Sequence, residues 1–218
     1  MPKSRLLALA VALLLTVTEA QASLESAAAS PVTASLPTTT PVSLWSEIAT
    51  AKLPKLTPGE AWVRIDLDQR ELAVLRNGQR LLVIPYLAIG TAGASRIRLQ
   101  GSSQTPIGEF HVVRVNRRSR FELFFGIDYP TPEIAHDAWR NGILSDREYR
   151  NYMSYHRRYG IPPANTPLGG HIGIHGLGER PARIHRIIDW TEGCVAVTNA
   201  EIQALDRFVD IGTLVVIR

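Results

Sequence analysis

From Trp62 onward the chain alternates apolar and polar residues with a period of two, and that pattern commits it to strands. Trp62-Val63-Arg64-Ile65-Asp66-Leu67 carries the alternation. Leu72 to Leu75, then Asn77-Gly78, then Leu81 to Ile84 read as two strands and a tight turn. A type I′ turn needs positive φ at both central residues, and Asn-Gly accepts it. Tyr86 to Ile89 extends the second strand. Phe110 to Val115, Phe121 to Phe125, His171 to His175 and Leu214 to Ile217 are further strand candidates. Helix signals interrupt them. Thr131-Pro132 is an N-cap with a first-turn proline. Ser145-Asp146-Arg147-Glu148 is a capping box ahead of a face made by Tyr149, Tyr152, Met153 and His156. Thr198-Asn199-Ala200-Glu201 is a second box, opening a helix whose Ile202, Leu205, Phe208 and Val209 face the core. The pattern predicts one mainly β (α+β) domain over residues 59–218. It carries a helical insertion near 130–160 and a helix after residue 198.

The N-terminal part is of another kind. Lys3 and Arg5 precede an uncharged run from Leu6 to Val17, and Ala20-Gln21-Ala22 is a small-x-small cleavage site. Residues 1–22 therefore read as a secretory signal peptide. The run is too short for a membrane anchor and no later run reaches spanning length, so no stable membrane insertion is expected after cleavage. Residues 23–58 read as a flexible leader, rich in Ser, Thr, Pro and Ala in its first part. Its later part, with Leu44, Trp45, Ile48 and Leu53, allows a short helix. Export places the protein in the periplasm or cell envelope. A net charge of +4 is compatible with an anionic partner there. Nucleic acid is not an expected partner of an exported protein. The basic run Arg114, Arg117, Arg118 and Arg120 reads as a solvated edge with at most a steering role.

Export also changes the meaning of Cys194, the single cysteine. In a compartment that favours disulfides, a lone cysteine is an intermolecular bridge, a free reactive thiol, or an inert buried residue. Gly193 directly before it allows a tight backbone turn that leaves N–H groups free to face a ligand. A thiol nucleophile needs a base. His175, at the end of an alternating strand and followed by Gly176, is the best candidate. Together they offer a thiolate–imidazolium nucleophile near neutral pH. A zinc site is the competing reading, since His171, His175, His185, Glu192 and Cys194 are all ligand types. On one straight strand, however, His171 and His175 stand roughly 13 Å apart, too far for a single ion. Zinc ranks below the thiol, and no metal or other cofactor is expected.

At this point the sequence resembles a known family. His175-Gly176, a spacer through Trp190, Thr191-Glu192-Gly193-Cys194 and then Asn199 resemble the signature of the YkuD-type L,D-transpeptidases. Upstream, Thr105-Pro106-Ile107-Gly108-Glu109-Phe110 is similar to that family's turn-and-strand motif, and Pro167-Leu168-Gly169-Gly170 before the histidine strand also fits. The resemblance covers the whole predicted domain. It implies a YkuD-like β-sandwich or barrel without cofactors. It implies Cys194 as nucleophile, His175 as general base and the Gly176 carbonyl as orienter of the imidazole. Backbone N–H groups of Glu192, Gly193 and Cys194 would form an oxyanion hole. Thr191 and Asn199, within the motif, are candidate substrate contacts. Trp190 either walls the site or fills the core, and His171 is either a substrate contact or an ordinary strand histidine. The implied substrate is a peptidoglycan stem peptide. Transfer to an amine gives a wall cross-link or a protein-to-wall bond, and transfer to water gives a peptidase. Glu192 stands where the family commonly has His, and Ala196 where it commonly has Arg. Both changes resemble the YafK-like branch, which brings hydrolysis and a wall-anchored lipoprotein partner into view. A catalytically inert wall-binding module is the remaining alternative. The insertion at 131–160 is expected to lie as a lid over the stem peptide.

Overall fold

The computed structural model describes residues 60–218. The expected signal peptide and leader lie outside the described residues. β1 (Trp62–Asp66), β2 (Glu71–Arg76) and β3 (Gln79–Pro85) form an antiparallel meander. Asn77 (φ 49°) and Gly78 (φ 77°) make the turn between β2 and β3 with both central residues at positive φ, as the Asn-Gly pair predicts. β4 (Ala94–Ser95) and β5 (Thr105–Pro106) are a two-residue parallel pair. β6 (Gly108–Ser119) and β7 (Glu122–Ile127) form a long hairpin. After α1 (Pro132–Arg140) and α2 (Asp146–Tyr159) come β8 (Gly173–His175), α3 (Ala182–His185), β9 (Val195–Ala196), α4 (Asn199–Leu205) and β10 (Leu214–Ile217).

Eight strands join in the order β3-β2-β1-β10-β6-β7-β8-β9. The mixed sheet depends on β6, which changes partner along its length. Its first half pairs with β10 (Phe110 with Val215), its second half with β7 (Val115 with Phe125), and the ladder shifts between Val112 and Arg114. Beyond β3, Ala88 bridges to Ala196 and Gly90 to Thr191, which brings the chain after one edge strand against the other. The main core follows, built on Val63, Ile65, Phe110, Phe125, Ile174, Val195, Ile202 and Val215 among others, and a smaller cluster of Trp62, Leu214 and Val216 lies apart from it.

The helices start where their local code places them. Thr131 accepts from the Ile134 N–H, and the reciprocal boxes Ser145/Glu148 and Thr198/Glu201 are both complete. Several expectations change. Tyr86 to Ile89 does not extend β3, which ends at Pro85 where Tyr86 turns to φ 64°, and the helix after Thr198 ends at Leu205, short of Phe208 and Val209. The strand predicted from His171 begins only at Gly173, because His171 has φ 56° and a left-handed residue cannot continue a ladder. The straight-strand separation of His171 and His175 therefore does not describe this chain. Nor do the helices at 131–160 lie over the cleft described below, whose lining includes none of their residues. Ile134, Ala135, Ala138 and Tyr152 sink into the core, and Trp139 stacks on Tyr149 with ring centroids 4.9 Å apart.

Candidate active site

β8 and β9 pair in parallel, with Ile174 beside Val195 and His175 beside Ala196. One step back, Cys194 stands beside Gly173. Side chains alternate along a strand, so His175 and Cys194 leave the same face of adjacent strands, two residues out of register. Strand spacing and rise put their Cα atoms roughly 8 Å apart, close enough for a side chain from each to converge. Both line one cleft of about 1290 Å³.

His175 is almost fully buried. Its ring stacks on Phe121 at 4.2 Å between centroids and meets the edge of Trp190 at 5.8 Å. Nδ1 lies 2.7 Å from the Gly176 carbonyl oxygen, which only accepts, so Nδ1 carries the proton and Nε2 keeps its lone pair. Burial holds the imidazole below its usual value; the Gly176 carbonyl opposes this, and the Arg120 charge adds to it. The histidine is therefore neutral at neutral pH. Gly176 is small of necessity, since a Cβ there would stand 2.7 Å from the Phe121 carbonyl oxygen and 2.8 Å from Asn199 Oδ1.

Cys194 is half-buried. Burial pushes its thiol up to about 11, against the pull of the Gly173 backbone and Arg98, and Glu192 adds to the rise. The resting pair is thus thiol and neutral imidazole, not the thiolate–imidazolium pair that residue types alone suggest. The sulfur donates weakly to the His171 carbonyl oxygen at 3.6 Å. Gly193 sits at φ 125°, a conformation rarely open to other residues, and a Cβ there would meet the Gln104 carbonyl oxygen at 2.5 Å.

The other sequence candidates take varied places. Thr191 is buried; its hydroxyl donates to the Cys194 carbonyl oxygen (2.6 Å) and accepts from the Gly193 N–H (3.1 Å). It braces the cysteine loop, and the Gly193 N–H is committed to it. Asn199 Oδ1 accepts from the Leu177 and Gly178 N–H groups at 2.8 and 2.9 Å, while Nδ2 donates to the Gly178 carbonyl oxygen at 2.8 Å. Both ends of its amide brace the turn after His175. Trp190 and His171 line the cleft, and Arg114 reaches His171 Nδ1 at 3.3 Å. Glu192 is exposed on the cleft wall. The cleft also holds Arg98, Arg118, Arg120 and Arg180, facing the carboxylates of only Glu179 and Glu192. Sequence reasoning left Arg118 and Arg120 on a solvated edge and missed Arg98 and Arg180. Their only signal was positive charge. Among the described residues, no three His, Cys, Asp or Glu side chains gather to hold a metal ion.

The family model of the YkuD L,D-transpeptidase catalytic domain matches residues 60–217. The chain belongs to that family. Solved structures similar to this YkuD domain include three bacterial proteins. The helical cell shape determining protein Pgp2 from Campylobacter jejuni (K307A mutant) is 16% identical, over 75% of this chain and 48% of that chain, with TM-score 0.48. Bd1075 from Bdellovibrio bacteriovorus is 21% identical, over 73% and 48%, with TM-score 0.44. The L,D-transpeptidase from Xylanimonas cellulosilytica is 17% identical, over 82% and 70%, with TM-score 0.41. This chain matches about half the length of the first two. No curated protein matches it in sequence. The chain thus carries an L,D-transpeptidase catalytic domain, with the mainly β architecture expected of it. No helix among the described residues is long and apolar enough to cross a membrane.

Proposed function

We propose that the domain is an exported cysteine acyltransferase of peptidoglycan stem peptides, with Cys194 as nucleophile and His175 as general base. The observation that carries this reading is that both residues leave one face of the adjacent strands β8 and β9 and line one cleft, large enough for a peptide. His175 Nε2 takes the thiol proton as the sulfur attacks the carbonyl carbon at the L-centre of the diamino acid residue. The backbone N–H groups of Glu192 and Cys194 receive the oxyanion, while the Gly193 N–H stays on Thr191 in the resting enzyme. Collapse of the tetrahedral intermediate passes the proton from His175 to the leaving amine. D-Alanine departs and a thioester remains. An acceptor amine, deprotonated by the same imidazole, then attacks the thioester and restores the thiol.

A second reading, hydrolysis of a wall-peptide or wall-lipoprotein bond, is favoured by Glu192 on the cleft wall, where a carboxylate can hold a water. Mass spectrometry separates the two. Wild type and Cys194→Ala are incubated with disaccharide-tetrapeptide. A dimer lighter by one alanine, formed by wild type alone, supports the transferase. Tripeptide alone supports the hydrolase. Without product or thioester on this donor or on lipoprotein-linked wall, the acyltransferase reading falls and an inert wall-binding module takes its place.

A further inference from the structure

Arg98 is a buried cation without a counter-ion. It is 4% exposed, yet among the described residues no carboxylate lies within ion-pair distance of it. A guanidinium has five N–H donors. Here the side chain makes one hydrogen bond, a long one of 3.3 Å from Nη2 to the Glu192 carbonyl oxygen. Nε is sealed from solvent and has no partner. A buried unpaired charge costs stability and persists where something else compensates it.

The surrounding chain holds the residue in place nonetheless. The Tyr129 hydroxyl accepts from the Arg98 N–H at 3.0 Å and donates to the Arg98 carbonyl oxygen at 2.9 Å, which fixes the backbone. The guanidinium then fits beside two glycines. A Cβ on Gly169 would come within 3.0 Å of Nη1, and one on Gly193 within 3.3 Å of Nε. The group therefore abuts the residue before Cys194 and lines the same cleft. A planar fork of donors, pre-positioned beside a nucleophile and lacking an acceptor, has the chemistry of a carboxylate site.

We propose that Arg98 binds a substrate carboxylate close to the bond that Cys194 attacks. This rests on the acyltransferase reading above. Two carboxylates belong to the residues joined by that bond: the terminal one on the leaving residue and the one on the side chain of the diamino acid.

The test follows acylation of Cys194 in the full chain by intact-protein mass spectrometry, with three synthetic tetrapeptide donors. One keeps both carboxylates, one has the terminal carboxylate amidated, and one has the side-chain carboxylate amidated. Wild type should acylate with the free acid about tenfold or more faster than with one of the two amides, the size of a charge-assisted hydrogen bond. The disfavoured amide identifies the carboxylate. Arg98→Met should bring the free acid down to the rate of that amide, and Arg98→Lys, which keeps the charge and loses the fork, should fall between. Alkylation of Cys194 by neutral iodoacetamide reads the thiol separately: Arg98→Lys, which keeps the charge, should keep the wild-type pH profile, whereas Arg98→Met removes a charge that pulls the thiol down and should shift it upward. Such a shift slows all three donors alike, so substrate binding is read from the ratio of free acid to amide within each variant. Equal wild-type rates on all three donors overturn the proposal, whatever the variants do. So does a folded Arg98→Met or Arg98→Lys that keeps the full preference. If wild type alkylates normally and acylates neither with these donors nor with lipoprotein-linked wall, the acyltransferase reading itself has failed.

Discussion

Protonation decides what Cys194 and His175 can do at rest. Burial disfavours both charged forms, so the thiol sits up to about 11 and the imidazole below its usual value. In the proposed mechanism, nucleophile formation then waits for substrate, and the proton moves as the sulfur attacks. A base with a lowered value loses competence only when pH falls through that value. The acid limb of kcat/KM should therefore have its midpoint below the ordinary histidine value of about 6.5, with a plateau from about pH 7 to 9. A preformed thiolate–imidazolium pair would instead give a bell with an alkaline fall in that range, as the imidazolium deprotonates. Measuring kcat/KM across pH distinguishes the two. The proposed nucleophile and base stand out in the sequence because Gly-Cys and His-Gly are local signals. Their protonation does not, because it depends on Phe121 and Trp190 enclosing the ring. Arg98 was invisible for the same reason, since its position is set by Tyr129, 31 residues further along the chain.

Among the elements, β8 has the narrowest tolerance. It is three residues long and joins β7 to β9, so it sets where both His175 and Cys194 stand. Gly173 faces Gly126 across the ladder, and a Cβ on it would lie 2.2 Å from the Phe125 carbonyl oxygen. That atom belongs to backbone, so it has no rotamer by which to move aside. Gly173→Ala should destabilise the domain by about 3 kcal/mol and lower kcat/KM by pushing β8 away from β7. Ile174→Val, one residue on and pointing into the core, should cost about 1 kcal/mol and leave the site intact. Urea unfolding and a thioester assay on both variants check the contrast, and equal losses in the two would refute it. Elements of this kind are hard to read in advance. The Asn-Gly hairpin and both capping boxes were legible because their code lies within a few residues. The two-residue strands β4, β5 and β9 carry no such code, and their bridges exist only because distant chain passes alongside.

For the molecule as a whole, chain order and spatial order diverge most at β10. It comes last in sequence, yet it lies in the middle of the sheet, parallel to β1 and antiparallel to β6. All four of its residues, Leu214, Val215, Val216 and Ile217, are buried. Each such side chain contributes about 1.5–3 kcal/mol on burial, so the strand contributes roughly 6–12 kcal/mol before its ladder is considered. That is comparable to the whole stability of an ordinary domain, about 5–15 kcal/mol. Removing β10 also uncovers Val63 and Ile65 on one side and Phe110 on the other, and it leaves β6 tied to β7 alone. The effect is not local to the terminus, because β6 is the strand that carries the meander of β1 to β3 into the half of the sheet holding β8 and β9. A chain ending at Thr213 should therefore lose its cooperative melting transition and become sensitive to protease throughout residues 60–213. Cys194 should then alkylate at the rate of a thiol in an unfolded peptide. A truncated chain that still melts cooperatively and still protects Cys194 would mean that the two halves of the sheet hold together without their central strand.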